Sequence, residues 1–362
     1  MKKKDRVILI LGIVGASVVT SISAQLFVSS IIVSSIFSKR ESTLESFKSS
    51  QEYYLYKNRF DYPLLSSPKI YEFKSGKNIL KANYFEGSND GLIIVAHGLS
   101  SLSDGQISSV SNYFINKGWN IFSIDLTASG NSEGNNIGGL DQGAKDIKNA
   151  LSFISKNPEL SIYKDRIAMI GHSWGAYSVS AALNFNQSPK AVCSLAGFAS
   201  PDLEMVDFAR RYLGGLSDIS KPFMDNALYQ LRGKDGFLSA VDGYNKAENT
   251  SIILVQGKED KTVSPDYSSI YAHHKEIKNK SRLTIYGDGL INRDHNNVFY
   301  DEESYEYNVK EASKRFKELA KQYGKWDNIP SELIEELKSK TSKLDEAMFD
   351  KINLIFKEAV GV

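Results

Sequence analysis

The chain has 362 residues, 41% of them hydrophobic, which is enough for one large α/β domain with appendages. Its 44 basic and 43 acidic side chains nearly cancel, which argues against a nucleic-acid partner held by a strong positive field. The single cysteine, Cys193, excludes an intrachain disulfide, and no Cys/His cluster has the spacing of zinc ligands.

Lys2, Lys3, Lys4 and Arg6 precede a stretch from Val7 to Ser38 that carries no charged side chain. A bilayer-crossing helix needs about 20 apolar residues, so residues 1–40 are expected to form an uncleaved signal-anchor. A cleavable signal peptide is the rival reading, with Ser21-Ile22-Ser23 as its small-residue site. The basic residues lie mostly on the N-terminal side, which predicts a cytoplasmic N-terminus and an extracytoplasmic remainder in the cell membrane. Residues 41–64, with Tyr53, Tyr54, Tyr56 and Phe60, read as a polar and aromatic stalk.

Ile70 to Phe73 and Leu80 to Phe85 alternate as exposed strands do and predict an antiparallel hairpin around Gly76. Gly91 to Ala96 is a continuous apolar run, as in a strand buried on both faces, and ends in His97-Gly98-Leu99-Ser100-Ser101. A helix-like segment leads to a strand over Trp119 to Asp125 and then to a Gly/Ser/Asn loop ending at Gly134. Ala144, Ile147, Leu151 and Ile154 recur at helical spacing. This alternation of strand and helix predicts a mostly parallel sheet with helices on both faces.

Arg166 to Ile170 is a further strand, and a helix is expected from Ala176. Between them stands Gly171-His172-Ser173-Trp174-Gly175, a G-x-S-x-G pattern at a strand–turn–helix junction. Such a turn strains Ser173, exposes its hydroxyl above the sheet edge, and aims the Trp174 backbone N–H where a carbonyl oxygen would become negative.

With these motifs the chain resembles serine hydrolases of the α/β-hydrolase superfamily, esterase- and lysophospholipase-like. The matching residues are His97-Gly98, Asp125 with Gly130, Ser132 and Gly134, the pentapeptide at Ser173, and then Asp260 and His295 in the superfamily's order of serine, acid, histidine. One departure is Leu126-Thr127, where many relatives carry Arg-Gly after the aspartate; it bears on substrate shape rather than on chemistry. The resemblance implies that Ser173 attacks, His295 transfers protons and Asp260 orients the histidine. It also implies that the Leu99 N–H joins that of Trp174 as an oxyanion donor. Glu259 is the near rival of Asp260. Among the other histidines, His97 and His172 are expected to shape loops, and His273 and His274 to be solvated.

Between Leu195 and Ser251 the chain runs too long for an ordinary loop. Residues 198–248 are therefore expected to form an apolar helical cap, with Phe223 and Met224 in an acyl pocket. The hydrolase domain is expected over 65–320 and a solvated helical tail over 321–362. The reading is a membrane-anchored serine hydrolase that cleaves carboxylic esters, lipid-like ones among them, through an acyl-enzyme. Its expected partners are a small-molecule ester or acyl substrate and the membrane. No metal or organic cofactor is implied. A peptidase or acyltransferase would use the same constellation, and a non-catalytic binding module on the same fold is the alternative from another class.

Overall fold

The computed structural model describes residues 40–362, together with positions 25, 29–31 and 34. Among the described residues no helix is long and apolar enough to cross a membrane. The anchor expected over residues 1–40 lies almost wholly outside them.

Eight strands form one sheet in the order β1-β2-β4-β3-β5-β6-β7-β8. The expected hairpin is β1 (Lys69–Ser75) and β2 (Asn78–Phe85), antiparallel around Gly76. β2 runs antiparallel to β4 (Asn120–Ile124). The other pairings are parallel and use β3 (Leu92–Ala96), β5 (Ile167–His172), β6 (Ala191–Leu195), β7 (Ser251–Val255) and β8 (Leu283–Ile285). The core strands read as unbroken apolar runs because both faces are covered. Along β3, Leu92, Ile94 and Ala96 enter one hydrophobic cluster, and Ile93 and Val95 enter the other.

Chain order gives the helices. Two short ones, α1 (Leu44–Lys48) and α2 (Gln51–Leu55), precede the sheet. α3 (Ser108–Asn116) lies on one face, and α4 (Gln142–Lys156) and α5 (Trp174–Ala181) lie on the other. The long excursion after β6 is helical, as expected: α6 (Pro201–Leu213), α7 (Leu216–Arg232) and α8 (Ala240–Lys246). It is pinned to the body at the end of α7, where Arg232 donates from Nε and Nη2 to the two carboxyl oxygens of buried Asp141 at 2.8 and 2.7 Å. Burial alone would raise the Asp141 carboxyl, but Arg232 and Lys145 hold it below the usual range.

The ends of the chain are more deeply integrated than the sequence suggests. After α9 (Glu302–Tyr307), a π turn over Asn308–Ala312 leads into α10 (Ser313–Tyr323), α11 (Ser331–Thr341) and α12 (Glu346–Val360). α12 is no solvated tail: Met348, Phe349, Ile352 and Phe356 are buried against the same sheet face as α3. Trp119 Nε1 donates to Asn353 Oδ1 at 2.8 Å, and Phe356 stacks on Phe114 with centroids 5.6 Å apart. The expected stalk is folded onto the body. Leu55 joins Phe316, Leu319 and Leu337 in one cluster, Tyr56 stacks on Tyr300, and Lys338 bonds Asp61 at 2.8 Å. These contacts link residues far apart in sequence, so helical periodicity alone does not disclose them.

Phe356→Ala would leave a cavity in this layer. An unfolding free energy lower by about 3–5 kcal/mol in chemical denaturation is expected; a loss within experimental error would show that α12 adds nothing to the core.

Candidate active site

Every sequence-predicted site residue lies at the carboxyl edge of the parallel strands, where open α/β sheets form their crevices. Leu99 follows β3, Ser173 follows β5, Asp260 follows β7 and His295 follows β8.

Ser173 has φ +55° and ψ −118°, outside the regions open to most side chains. The neighbouring glycines permit this turn. A Cβ on Gly171 would strike the Gly175 backbone, and one on Gly175 would strike the Ala96 and His97 backbones. The Ser173 N–H donates to Leu195 O at 2.9 Å, and its carbonyl accepts from Tyr177 N–H at 3.0 Å. Trp174 opens α5, so its N–H has no acceptor in the preceding turn. Its indole fixes the helix by donating to Leu140 O at 2.7 Å.

The structure brings Ser173, His295 and Asp260 into one hydrogen-bonded chain. His295 Nδ1 donates to Asp260 Oδ2 at 2.8 Å, which leaves Nε2 as the acceptor for the Ser173 hydroxyl at 2.9 Å. Asp260 is buried, and its carboxylate also accepts from the Thr262 and Val263 N–H groups, each at 2.8 Å, and from Gln256 Nε2 at 2.9 Å. Glu259 is exposed and takes no part in the chain.

His172, read from sequence only as a loop former, holds His295 from behind. Its Nε2 donates to the His295 carbonyl at 2.9 Å, and its ring lies 4.9 Å from that of His295. Burial, with His295 beside it, lowers its pKa to about 3 and keeps it neutral. His97 braces the Leu99 loop, donating from Nδ1 to Gly98 O at 2.7 Å and accepting from Leu126 N–H at 3.1 Å. Its burial lowers the pKa to about 4. Asp125 ties the same loop to the next, accepting from Ser103 N–H at 2.9 Å and Asn131 N–H at 2.8 Å. His273 and His274 are half-buried in a turn away from this chain, where His273 bonds Glu276.

Ser173 opens into a cleft of about 550 Å³. Leu99, Ile107, Leu140, Phe198, Met205, Phe208 and Phe299 supply its apolar lining, and Glu41, Glu52, Glu204 and Arg211 supply its charged groups. Burial pushes the Glu52 carboxyl up to about 7. The cap reaches the cleft through α6. Phe223 and Met224 do not line it, contrary to the expectation: Met224 is buried beneath α6 against Val206 and Ala209. Sequence reasoning missed Glu41 and Glu52, which no motif marks. Among the described residues no group of His, Cys, Asp and Glu could hold a metal ion.

Comparison with known proteins bears on the fold. The serine aminopeptidase family S33 matches residues 87–242. An esterase of Pyrococcus furiosus is similar in structure, with 18% identity and a TM-score of 0.51 over 69% of this chain and 90% of that one. An acylaminoacyl peptidase of Pyrococcus horikoshii has 19% identity and a TM-score of 0.48 over 64% of this chain and 38% of that one. No curated protein matches the chain. The fold is that of the α/β-hydrolases, and the match over residues 87–242 supports a serine hydrolase.

The buried histidines set a pH dependence of stability. Below about pH 6.5 the unfolded chain gains a proton that His97 refuses until about pH 4. Stability present above 6.5 is therefore lost as the pH falls toward 4, by up to about 3 kcal/mol for this one group. His97→Gln is expected to flatten that part of the profile in denaturation measured from pH 7 to pH 4; an unchanged slope would assign the loss to other groups.

Proposed function

We propose that the protein hydrolyses carboxylic esters of apolar acyl chains through an acyl-enzyme on Ser173. The observation that carries this reading is the Ser173–His295–Asp260 chain, set on a strained turn and opening into a cleft with an apolar wall.

A serine hydroxyl is a weak nucleophile at neutral pH and needs a base. His295 Nε2 takes the hydroxyl proton as Oγ attacks the ester carbonyl. Asp260 holds the ring in the required tautomer and stabilises the imidazolium. The tetrahedral oxyanion turns toward the backbone N–H groups of Leu99 and Trp174, a donor pair of which each member is worth about 3–4 kcal/mol in such sites. Collapse of this intermediate expels the alcohol, which takes the proton from His295. Water, activated by the same ring, then attacks the acyl-enzyme and releases the acid, and Ser173 recovers its proton.

The S33 match also favours a peptidase reading, since that family is named for aminopeptidases. Esters and amides of one acyl group separate the two: hydrolysis of peptide amides at rates comparable with esters would favour the peptidase.

A fluorophosphonate should label the wild type and not Ser173→Ala, because the reagent traps an activated serine. His295→Ala should lower kcat by about a thousandfold or more. Labelling of Ser173→Ala at full strength would remove Ser173 from the mechanism.

The cleft wall predicts a chain-length preference. Each acyl methylene buried there adds up to about 0.8 kcal/mol, so kcat/KM should rise from acetyl to about hexanoyl or octanoyl p-nitrophenyl esters. Phe208→Asn should flatten the rise while sparing fluorophosphonate labelling. A constant preference for acetyl in both proteins would show that α6 does not hold the acyl chain.

A further inference from the structure

The chain joins the domain at the rim of the cleft. Arg40 donates from Nη1 to Gly134 O at 2.7 Å, and from Nη2 to Gly130 O and Ser132 O at 3.0 and 2.9 Å. The Glu41 N–H donates to Ala128 O at 2.9 Å, and the Gly130 N–H to Ser42 O at 2.7 Å. Ser42 Oγ donates to the carbonyl of Ser100, the residue after Leu99, at 2.7 Å. Glu41 and Ser100 both line the cleft. Three carbonyls on one guanidinium fix this point, so position 40 cannot swing away from the mouth without breaking the rim's own bonds.

A second attachment lies upstream. Ser220 Oγ on α7 donates to Gln25 Oε1 at 3.0 Å, and Ser29 is buried. Gln25 thus meets the cap, and Arg40 meets the rim formed by the loop after β4. Upstream of Gln25, Val7 to Ala24 contains eighteen residues and no charge, preceded by Lys2, Lys3, Lys4 and Arg6. That length of uncharged chain is close to the roughly 20 residues that crossing a bilayer's hydrocarbon core needs.

Exposed groups next to the cap attachment and on the segment that follows Arg40 suit a lipid surface. Ile219, next to Ser220, is 61% exposed. Phe60 is 40% exposed between the Lys48 ammonium, 4.6 Å from the ring centroid, and the Arg59 guanidinium, 4.4 Å from it. The Arg59 N–H donates to Asp104 O in the segment that follows Leu99. The ring and the Lys48 ammonium fit the headgroup layer, while the Arg59 guanidinium is taken up by buried Asp104.

We propose that the protein holds the mouth of its cleft against the bilayer that its own N-terminal segment spans, and takes long-chain acyl esters resident in that bilayer as substrate. This rests on the reading of Ser173 as the nucleophile. An ester in the same leaflet diffuses past a mouth fixed at its surface, whereas one in another membrane must first leave it.

The test uses the full chain reconstituted in phosphatidylcholine vesicles with a fluorogenic long-chain diacylglycerol. The ester is placed either in the enzyme's own vesicles or in separate ones, with p-nitrophenyl butyrate as the soluble control. Hydrolysis in the enzyme's own vesicles should be faster by about tenfold or more, through effective concentration. Equal rates in the two arrangements, or no diacylglycerol hydrolysis while the butyrate is cleaved, would overturn the proposal and leave the Ser173 reading intact. Failure on the butyrate as well would fall on that reading instead. In a second variant, a Gly/Ser spacer of about fifteen residues between Ala24 and Gln25, upstream of both attachments, frees the mouth to move roughly 20 Å. It should lower same-vesicle hydrolysis by about tenfold and change butyrate hydrolysis less than about twofold. An unchanged same-vesicle rate overturns the proposal; if the spacer also abolishes butyrate hydrolysis, the wild-type comparison between vesicles decides.

Discussion

At Ser173 the backbone turns with φ +55°, a conformation that costs a non-glycine residue about 1–3 kcal/mol and persists only where its surroundings over-determine it. Those surroundings are the close approach of β5 to α5 and of α5 to β3. Gly171 faces the Gly175 backbone, and Gly175 faces the backbone at Ala96 and His97, with no room for a Cβ at either place. The approach that strains the serine therefore also seats α5 against the loop carrying Leu99. A methyl group at either glycine would part the elements and move Ser173 relative to Leu99 and His295 together. Geometry at the cleft is a property of sheet packing before it is a property of any catalytic side chain.

The charges near His295 follow from the same packing. His172 lies against the His295 ring, yet burial keeps it neutral down to about pH 3. A second imidazolium there would repel the positive charge that proton transfer creates on His295. The charge in direct contact with the His295 ring is the Asp260 carboxylate, whose three further donors fix its position. His97 plays a corresponding part on the Leu99 side: its neutral ring bonds two backbone groups and adds no charge near a developing oxyanion.

The sequence made legible what is local and periodic. The β1–β2 hairpin, the buried parallel strands, α4 and the elbow each follow from alternation, unbroken apolar runs, helical spacing or a glycine pattern. Ser173, His295 and Asp260 come together as the superfamily order implies, although three different strands deliver them. What the sequence hid depends on contacts between distant segments. α12 has an ordinary amphipathic pattern, and nothing in it says that its apolar stripe meets Phe114 and Trp119 rather than solvent. Phe223 and Met224 are as apolar as Phe208, but the rotation of α7 beneath α6 buries Met224 away from the cleft. Hydrophobicity predicted that the excursion packs; it could not say which side of it meets Ser173.

The charged lining of the cleft would be hardest to anticipate from composition. Glu41 and Glu52 come from the segment before the sheet, and Glu204 and Arg211 come from α6, so the cleft is closed by pieces that share no motif. Three carboxyl groups beside one guanidinium suggest a strongly anionic site, but burial alters that count. It raises Glu52 to about 7 and places Glu204 well above the usual carboxyl range, with Asp207 nearby adding to the shift. At neutral pH Glu52 stands near its midpoint, and the rise at Glu204 favours its uncharged form. The field at Ser173 is then much weaker than the formal charges imply. A weak field is what an apolar acyl chain requires of a cleft that must also desolvate it, because a fully ionised wall would hold the water that the chain has to displace.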